Sequence, residues 1–415
     1  MIDLSKLQPI GRKQWVKRKW DEYVATRNYL AIVGSLKAYY DPTNVKFDEV
    51  VDKATWKDTV DRKVNYLLAR KPICTDHQDT LDSLLEFVRE SATQYLLTAS
   101  LVWIVQGNGV DFMPKPAIMK NTIAIYGDEA RQETVAYIRK RIDIEVDEMT
   151  GAETEREYYE CYYQEDVNGA LIVHRDTYCY TLDNADTEEV LVDAPVFIEL
   201  GKTGDAPLYA YVENYLKAHD NLFKHQDQTV CKNTKPLVEV RGYSGTADED
   251  LAYAIEELSI ARVDGNGGVA IHQRSMDSNS VDLWRKALMT KYYEATCTVG
   301  KDNELQYAVS GKAMDRLFVD MENSARQLSH ILEQGLIEYF ESIGQGKVGI
   351  VWNTDRPVDD ASIISAIAQS RGIVSDLTLL EQHPWIEDVD EEVKRLAEQN
   401  SGGFDDLMEV PDDTI

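Results

Sequence analysis

No run of about 18 apolar residues occurs along the chain, so no segment is expected to cross a membrane as a helix. The opening stretch, MIDLSKLQPIGRKQWVKRKW, has no apolar run behind its basic residues, which argues against a secretory signal. Cysteine is scarce. Cys74, Cys161, Cys179, Cys231 and Cys297 are odd in number, lie far apart and form no Cys-x-x-Cys. That fits a reducing compartment and argues against structural zinc. The seven histidines show no metal spacing: His219 and His225 are six apart on one predicted helix and do not share a face. There is no His-Glu-x-x-His and no Gly-x-Ser-x-Gly. Basic charge is also short, with 44 Lys and Arg against 73 Asp and Glu and a formal net charge of −29. Such a charge keeps a chain soluble and repels nucleic acid in general. Two readings are open here: a plain acidic protein, or a surface that must not stick to a polyanion passing close by.

Gly311-Lys312, ahead of an apolar helical pattern, invites comparison with a phosphate-binding loop. That loop needs glycine five residues before Gly311 and a hydroxyl after Lys312. Those positions hold Gln306 and Ala313, so both requirements fail. Ser310 as an N-cap, accepting from first-turn amides, explains the junction without a ligand. Asp264-Gly265-Asn266-Gly267-Gly268 resembles the start of a calcium loop, but its sixth and twelfth positions hold Val269 and Ser275 in place of glycine and glutamate. A turn is the better reading.

The chain is 43% apolar and 28% charged over 415 residues, enough for a sizeable core and two to four domains. The pattern predicts an α+β, predominantly helical fold. Residues 10 to 105 read as mostly helical, with a helix end at Lys63–Arg70 before Pro72. A helix from Leu84 runs into strand-like Leu101–Val105, and Gly107-Asn108-Gly109 makes a turn. From about 135 to 180 the period changes to two. Ile142, Ile144 and Val146 alternate with charges as on a half-buried strand, and Tyr159, Cys161 and Tyr163 alternate after Thr150-Gly151. Asn168-Gly169 turns the chain into Leu171–Val173, which makes a β-meander followed by an acidic loop from Asp183 to Asp193.

Helical period returns from Leu208 to Asn233. Beyond Pro236 come a short strand at Leu237–Val240, an acidic helix at Asp248–Leu258, a loop and strand at Arg262–Ile271, and a helix at Val281–Cys297. A compact insert thus sits between two helices that can run side by side. After a polar loop, Thr298–Val309, the longest helix starts at Ser310 and runs to about Ser342. Its stripe is Met314, Leu317, Met321, Ala325, Leu328, Leu332 and Leu336, with charges on the other faces. A narrow stripe on so long a helix points to contacts with other helices or other subunits. A strand at Val348–Trp352, two or three helices between Asp360 and Gln399, and an acidic tail from Ser401 that is expected to lack fixed structure complete the chain.

Three short stretches in this order resemble the portal proteins of tailed bacteriophages of the siphophage type. They are KVNYLLARKPI (Lys63–Ile73), AVSGKAMDRLF (Ala308–Phe318) and RGIVSDLTLLEQHPWIEDVDEEVKRLAEQ (Arg371–Gln399), with a helix–insert–helix unit between the first two. The resemblance covers about residues 10 to 400. It implies a homo-oligomeric ring, commonly of twelve subunits, at one capsid vertex of the virion, assembled in the host bacterial cytoplasm. Double-stranded DNA passes through the tunnel. The implied partners are the terminase large subunit, the major capsid and scaffolding proteins, and head-completion or adaptor proteins. No membrane, cofactor, metal or catalytic residue is implied.

The implied domains are a wing at 1–207, stem helices at 208–233 and 281–297, and a clip at 234–280. A tunnel loop follows at 298–309, then the long helix and a wing strand at 310–359, a crown at 360–400 and the tail at 401–415. The implied site residues are Lys301, Asp302, Asn303, Glu304 and Gln306 in the tunnel loop. Ser310 and Gly311 make the loop–helix joint, and Arg262, Asp264, Asn266 and Arg274 lie in the clip, where motor and adaptor would dock. Two rivals stay open: an acidic metal-dependent hydrolase using scattered carboxylates, and another phage head protein, adaptor or scaffold.

Overall fold

A computed structural model describes residues 3–40, 53–106, 116–128, 130–146, 151–167, 170–181, 186–191, 195–233, 237–241, 266, 268–272, 278–299, 311–354, 360–381, 383, 386 and 389–401. The fold is mixed, with long helices and antiparallel strands. It divides into two compact units, 1–300 with 323–355, and 301–322 with 356–415.

In the first unit three helices lead: α1 (Pro9–Val24), α2 (Arg27–Tyr40) and α3 (Lys53–Leu68). Pro9 opens α1 at a position where a missing amide costs nothing. Strand β1 (Ile73–Cys74), α4 (Gln78–Ser83) and α5 (Leu85–Thr98) follow. Ala99 ends α5 in the left-handed conformation, φ 60°, and the chain enters β2 (Ser100–Val105) at once. Strand β2 lies between β3 (Pro116–Ile118) and β9 (Val196–Gly201), both antiparallel to it.

The second sheet is the expected meander, wider than the sequence suggests. It runs in chain order through β4 (Thr122–Tyr126), β5 (Thr134–Val146), β6 (Glu153–Val167), β7 (Ala170–Cys179) and β8 (Thr187–Leu191), all antiparallel. The acidic stretch expected to be a loop from Asp183 therefore contains an edge strand. Helix α1 covers one face. Its Trp15, Val16 and Trp20 pack with Ile123, Ala136, Ile138, Tyr159, Cys161, Tyr163 and Tyr178.

An ion pair crosses this core. Arg12 Nε donates to Asp176 Oδ2 at 2.7 Å, its Nη1 to the Leu7 carbonyl at 2.7 Å, and its Nη2 lies 2.8 Å from Glu188. Tyr178 donates to the same Asp176 oxygen at 2.7 Å. Burial pulls the Arg12 guanidinium down, but the Asp176 bond and charge outweigh it and hold it above its usual range. Removing one partner of such a buried pair typically costs about 3–5 kcal/mol, because the other charge stays buried.

One expectation for the meander is corrected. Ile142 and Ile144 are 52% and 58% exposed, not half-buried, because α1 does not reach that far along β5. Leu171, at the head of β7, lies on the face away from α1, with Val173, and is 64% exposed.

Helices α6 (Tyr209–Asn233) and α7 (Ser278–Thr296) pack side by side, with Tyr209, Val212 and Leu216 sharing a core cluster with Tyr292. Strands β10 (Leu237–Arg241) and β11 (Gly268–His272) pair antiparallel between them. Helix α8 (Gly311–Ser342) is 32 residues long, about 48 Å at 1.5 Å per residue. The strand expected at Val348–Trp352 is only β12 (Ile350–Val351), paired with β1.

Over its described side chains the stripe of α8 is buried within this chain; Met314 and Leu317 lie before them. From Met321 on it is buried: Met321, Ala325, Leu328, Leu332 and Leu336, with Tyr339 and Phe340. At Gly335 it lies close against the β2 sheet. A Cβ there would stand 2.5 Å from Leu200 and 2.9 Å from Trp103.

The second unit contains α9 (Asp360–Gln369), α10 (Asp376–Glu381) and α11 (Val389–Ser401), which makes three helices where two or three were expected. The predicted Asp248–Leu258 helix, the Gly107–Gly109 and Asn168-Gly169 turns, and the tail beyond Ser401 lie outside the described residues.

Gly335→Val is expected to lower stability by about 1–3 kcal/mol, because the Leu200 side chain and the fully buried Trp103 ring would have to move. Gly11→Ala, a helix glycine with nothing within 4 Å of the added carbon, is expected to gain up to about 1 kcal/mol. Urea unfolding of both variants checks the pair.

Candidate functional site

Helix α3 sets the local geometry where the helix pair hands the chain to the long helix. Its apolar face, Trp56, Val60, Val64 and Leu67, is buried. Thr59, Arg62 and Lys63 sit beside that face, and each holds a different piece of chain. Thr59 Oγ1 and the Tyr292 hydroxyl of α7 are 2.8 Å apart. Arg62 Nη1 donates to the Val299 carbonyl at 3.1 Å, while its Nε is 2.9 Å from Asp58. Lys63 Nζ donates to Ser324 Oγ of α8 at 2.6 Å.

The end of α7 is closed locally. Cys297 takes φ 51°, and Thr298 N donates back to the Tyr293 carbonyl at 3.0 Å. The Thr296 and Thr298 hydroxyls lie 2.6 Å apart, and Thr296 donates to the Tyr292 carbonyl at 3.0 Å. This reversal satisfies carbonyls that the last turn leaves open. Val299 is then buried, so the chain leaves α7 from a held position. Adjacent residues of α3 thus fasten Val299 on one side of residues 300–310 and Ser324 on the other.

Lys63 is only 5% exposed. Burial pushes its ammonium down to about 8 from 10.5, opposed by the charge of Cys297. Between those pH values the unfolded chain binds more protons than the folded one, so this group's contribution to stability rises with pH. Below about 8 the amine is charged in both states and carries its full burial cost.

Of the residues singled out from sequence, two lie among the described ones. Gly311 begins α8, and Asn266 is an exposed turn residue before β11. Lys301, Asp302, Asn303, Glu304, Gln306, Ser310, Arg262, Asp264 and Arg274 lie outside them. Arg62, Lys63 and Thr59 were missed. One signal was present: Lys63 falls on the apolar register of Trp56, Val60 and Leu67, where a lysine needs a reason.

Chemistry is thin elsewhere. A cavity of about 290 Å³ lies among α1, α2, α5 and β4, and one of about 410 Å³ lies between β5–β7 and β9. Neither is lined by a described His, Cys, Asp or Glu. Among the described residues, no three such side chains come together to hold a metal ion. No described helix is long and apolar enough to cross a membrane.

Lys63→Met is expected to be most stabilising, relative to the native chain, at pH 7. The gap should narrow by on the order of 3 kcal/mol toward pH 10.5, following the shift from 10.5 to about 8. Urea unfolding of both proteins at pH 7, 8.5 and 10 measures it. A constant difference would deny that Lys63 titrates in the folded state.

The chain is similar to the portal protein of Bacillus phage SPP1, with 21% identity over 442 residues covering 90% of this chain and 84% of that one. Its fold is similar to a chain in the virion of a native gene transfer agent particle (TM-score 0.47, 13% identity, 85% of this chain and 92% of that one). It is also similar to one in the neck of an empty particle of that kind computed with C6 symmetry (TM-score 0.49, 12% identity, the same coverage). The model of the family "Phage portal protein, SPP1 Gp6-like" matches residues 49–403, most of the chain, and the chain therefore belongs to this family of portal proteins, which is a structural family and not one of enzymes.

Proposed function

We propose that this chain is one subunit of a homo-oligomeric ring at a capsid vertex, the head-to-tail connector through which double-stranded DNA is packaged and ejected. The observation that carries the reading is the unit α6–β10–β11–α7, followed by a short connection into a helix of 32 residues. In this reading residues 1–207 form most of the wing, 208–233 and 281–297 the stem, and 234–280 the clip. Residues 298–309 are the tunnel loop, 310–359 the long helix and wing strand, 360–400 the crown and 401–415 a tail.

The clip, with Arg262, Asp264, Asn266 and Arg274, docks the terminase large subunit during packaging and head-completion proteins afterwards. The wing meets the major capsid and scaffolding proteins. The ring does no chemistry of its own, and the separate terminase ATPase supplies the energy. Assembly takes place in the host bacterial cytoplasm, and the ring ends in the virion.

Two features support a conduit. A net charge of −29 repels the duplex, so DNA is kept centred and mobile rather than held by bound cations. Arg62 and Lys63 fasten Val299 and Ser324, on either side of residues 300–310, to α3, so the stretch nearest DNA has fixed roots. Lys301 is the one cation between Thr298 and Val309, beside Asp302 and Glu304, and makes transient phosphate contacts.

Negative-stain microscopy of the chain produced beside its capsid protein is expected to show closed rings of many subunits. A clean monomer under those conditions would overturn the portal reading. Within assembled rings, Lys301→Ala is expected to change the length or rate of DNA packaged. Packaging and length control identical to the native ring would remove Lys301 from the path of DNA while leaving the ring itself untouched.

A further inference from the structure

Strands β5 and β6 stay paired for eleven registers, from Ala136 opposite Tyr163 to Val146 opposite Glu153. Their neighbours stop sooner. β4 ends opposite Arg139, and β7 ends opposite Tyr158. The last five pairs, Ile142–Val146 with Glu153–Glu157, therefore stand alone as a two-stranded arm about 17 Å long.

The two faces of this arm differ. Residues directly opposite share a face. One face is paired within itself: Arg141 with Asp143 at 2.8 Å, Arg156 with Glu145 at 2.8 Å, and the Tyr158 hydroxyl donating to Glu145 at 3.1 Å. The other face continues the buried face of the meander. Ile138 is fully buried under α1, and Ile142 and Ile144 keep the same register into solvent, 52% and 58% exposed. Glu157 and Glu155 lie opposite these isoleucines, with Glu153 next in line. Lys140 pairs with Glu157 at 2.6 Å, while Glu153 and Glu155 have no cation within 4 Å among the described residues.

We propose that this face of the arm docks a basic amphipathic segment of another protein, which covers Ile142 and Ile144 with aliphatic side chains and meets Glu153 and Glu155 with Lys or Arg. The inference stands on the arm alone and does not need the portal reading. The alternation runs past the point where this chain's own core uses it, and an isolated two-stranded hairpin is marginal in water, so a covering partner gains both burial and order. The charge selects the partner. Three carboxylates with one lysine repel nucleic acid and anionic lipid. A second copy meeting it about a two-fold axis sets glutamate row against glutamate row, which is unfavourable. A segment alternating aliphatic and basic residues satisfies both rows at once.

The test uses the full chain and two fluorescent peptides, one alternating Lys and Ile and one alternating Glu and Ile, with binding read by anisotropy. The Lys peptide is expected to bind and the Glu peptide not. Glu153→Lys/Glu155→Lys, and separately Ile142→Ser/Ile144→Ser, should each weaken the Lys peptide at least tenfold. Glu86→Lys/Glu133→Lys, elsewhere on the surface, should leave it within about twofold. All four positions are exposed in the arm variants, and unchanged thermal unfolding confirms that they fold. Equal binding by the arm variants, or equal loss in the Glu86/Glu133 variant, would show attraction to total charge only and overturn the proposal. So would a photocrosslinker on Ile144→Cys that links the arm to a second copy of this chain.

Discussion

The contact between Gly335 and the Trp103 and Leu200 side chains is the constraint on which the first unit turns. A helix of 32 residues lies on the β2 sheet without a side chain between them at that point. Glycine inside a helix costs roughly 1 kcal/mol of stability, so the close approach must return more than that. Leu332, Leu336, Tyr339 and Phe340 of the same helix are buried, as is Trp103. Once α8 is set at this distance, Ser324 falls beside Lys63, and α3 can hold both sides of residues 300–310.

The polar groups that cross the interior follow one pattern. Arg12 joins a helix to a strand far away in sequence, and Lys63 joins α3 to α8. Each is expensive to bury and poor as a source of stability. Their use is in register: a guanidinium bonded to Asp176, Glu188 and the Leu7 carbonyl admits one placement of α1 on the meander, where an apolar contact admits several. The arm of β5 and β6 is the reverse case, where an apolar register runs on past the cover that α1 supplies.

Much of the fold was legible by period. The helix from Tyr209 to Asn233, the insert strands and the end of the long helix at Ser342 lie where helical spacing and the positions of Pro236, Gly344 and Gly346 put them. Tyr159, Cys161 and Tyr163 are buried, but Glu160 and Tyr162 between them are buried too, because the other face packs on the β2 sheet, which alternation did not show. The edge strand at Thr187–Leu191 was not legible, because TEEVL carries little apolar signal and gains its strand character from pairing with β7. Arg62, Lys63 and Thr59 were not legible as a group, since their partners are more than two hundred residues away.

By itself the sequence determined most of the elements, the family and the sign of the charge, because these depend on local spacing, on short ordered stretches and on composition. It excluded a phosphate loop at Gly311-Lys312 through Gln306 and Ala313. Only the tertiary structure decided what each apolar face meets. Spacing says that a face must be covered, and it does not say by what. So the stripe of α8 is covered from within from Met321 on, and the face of Ile142 and Ile144 stays largely exposed, because α1 packs over Ile138 and not over the arm beyond it.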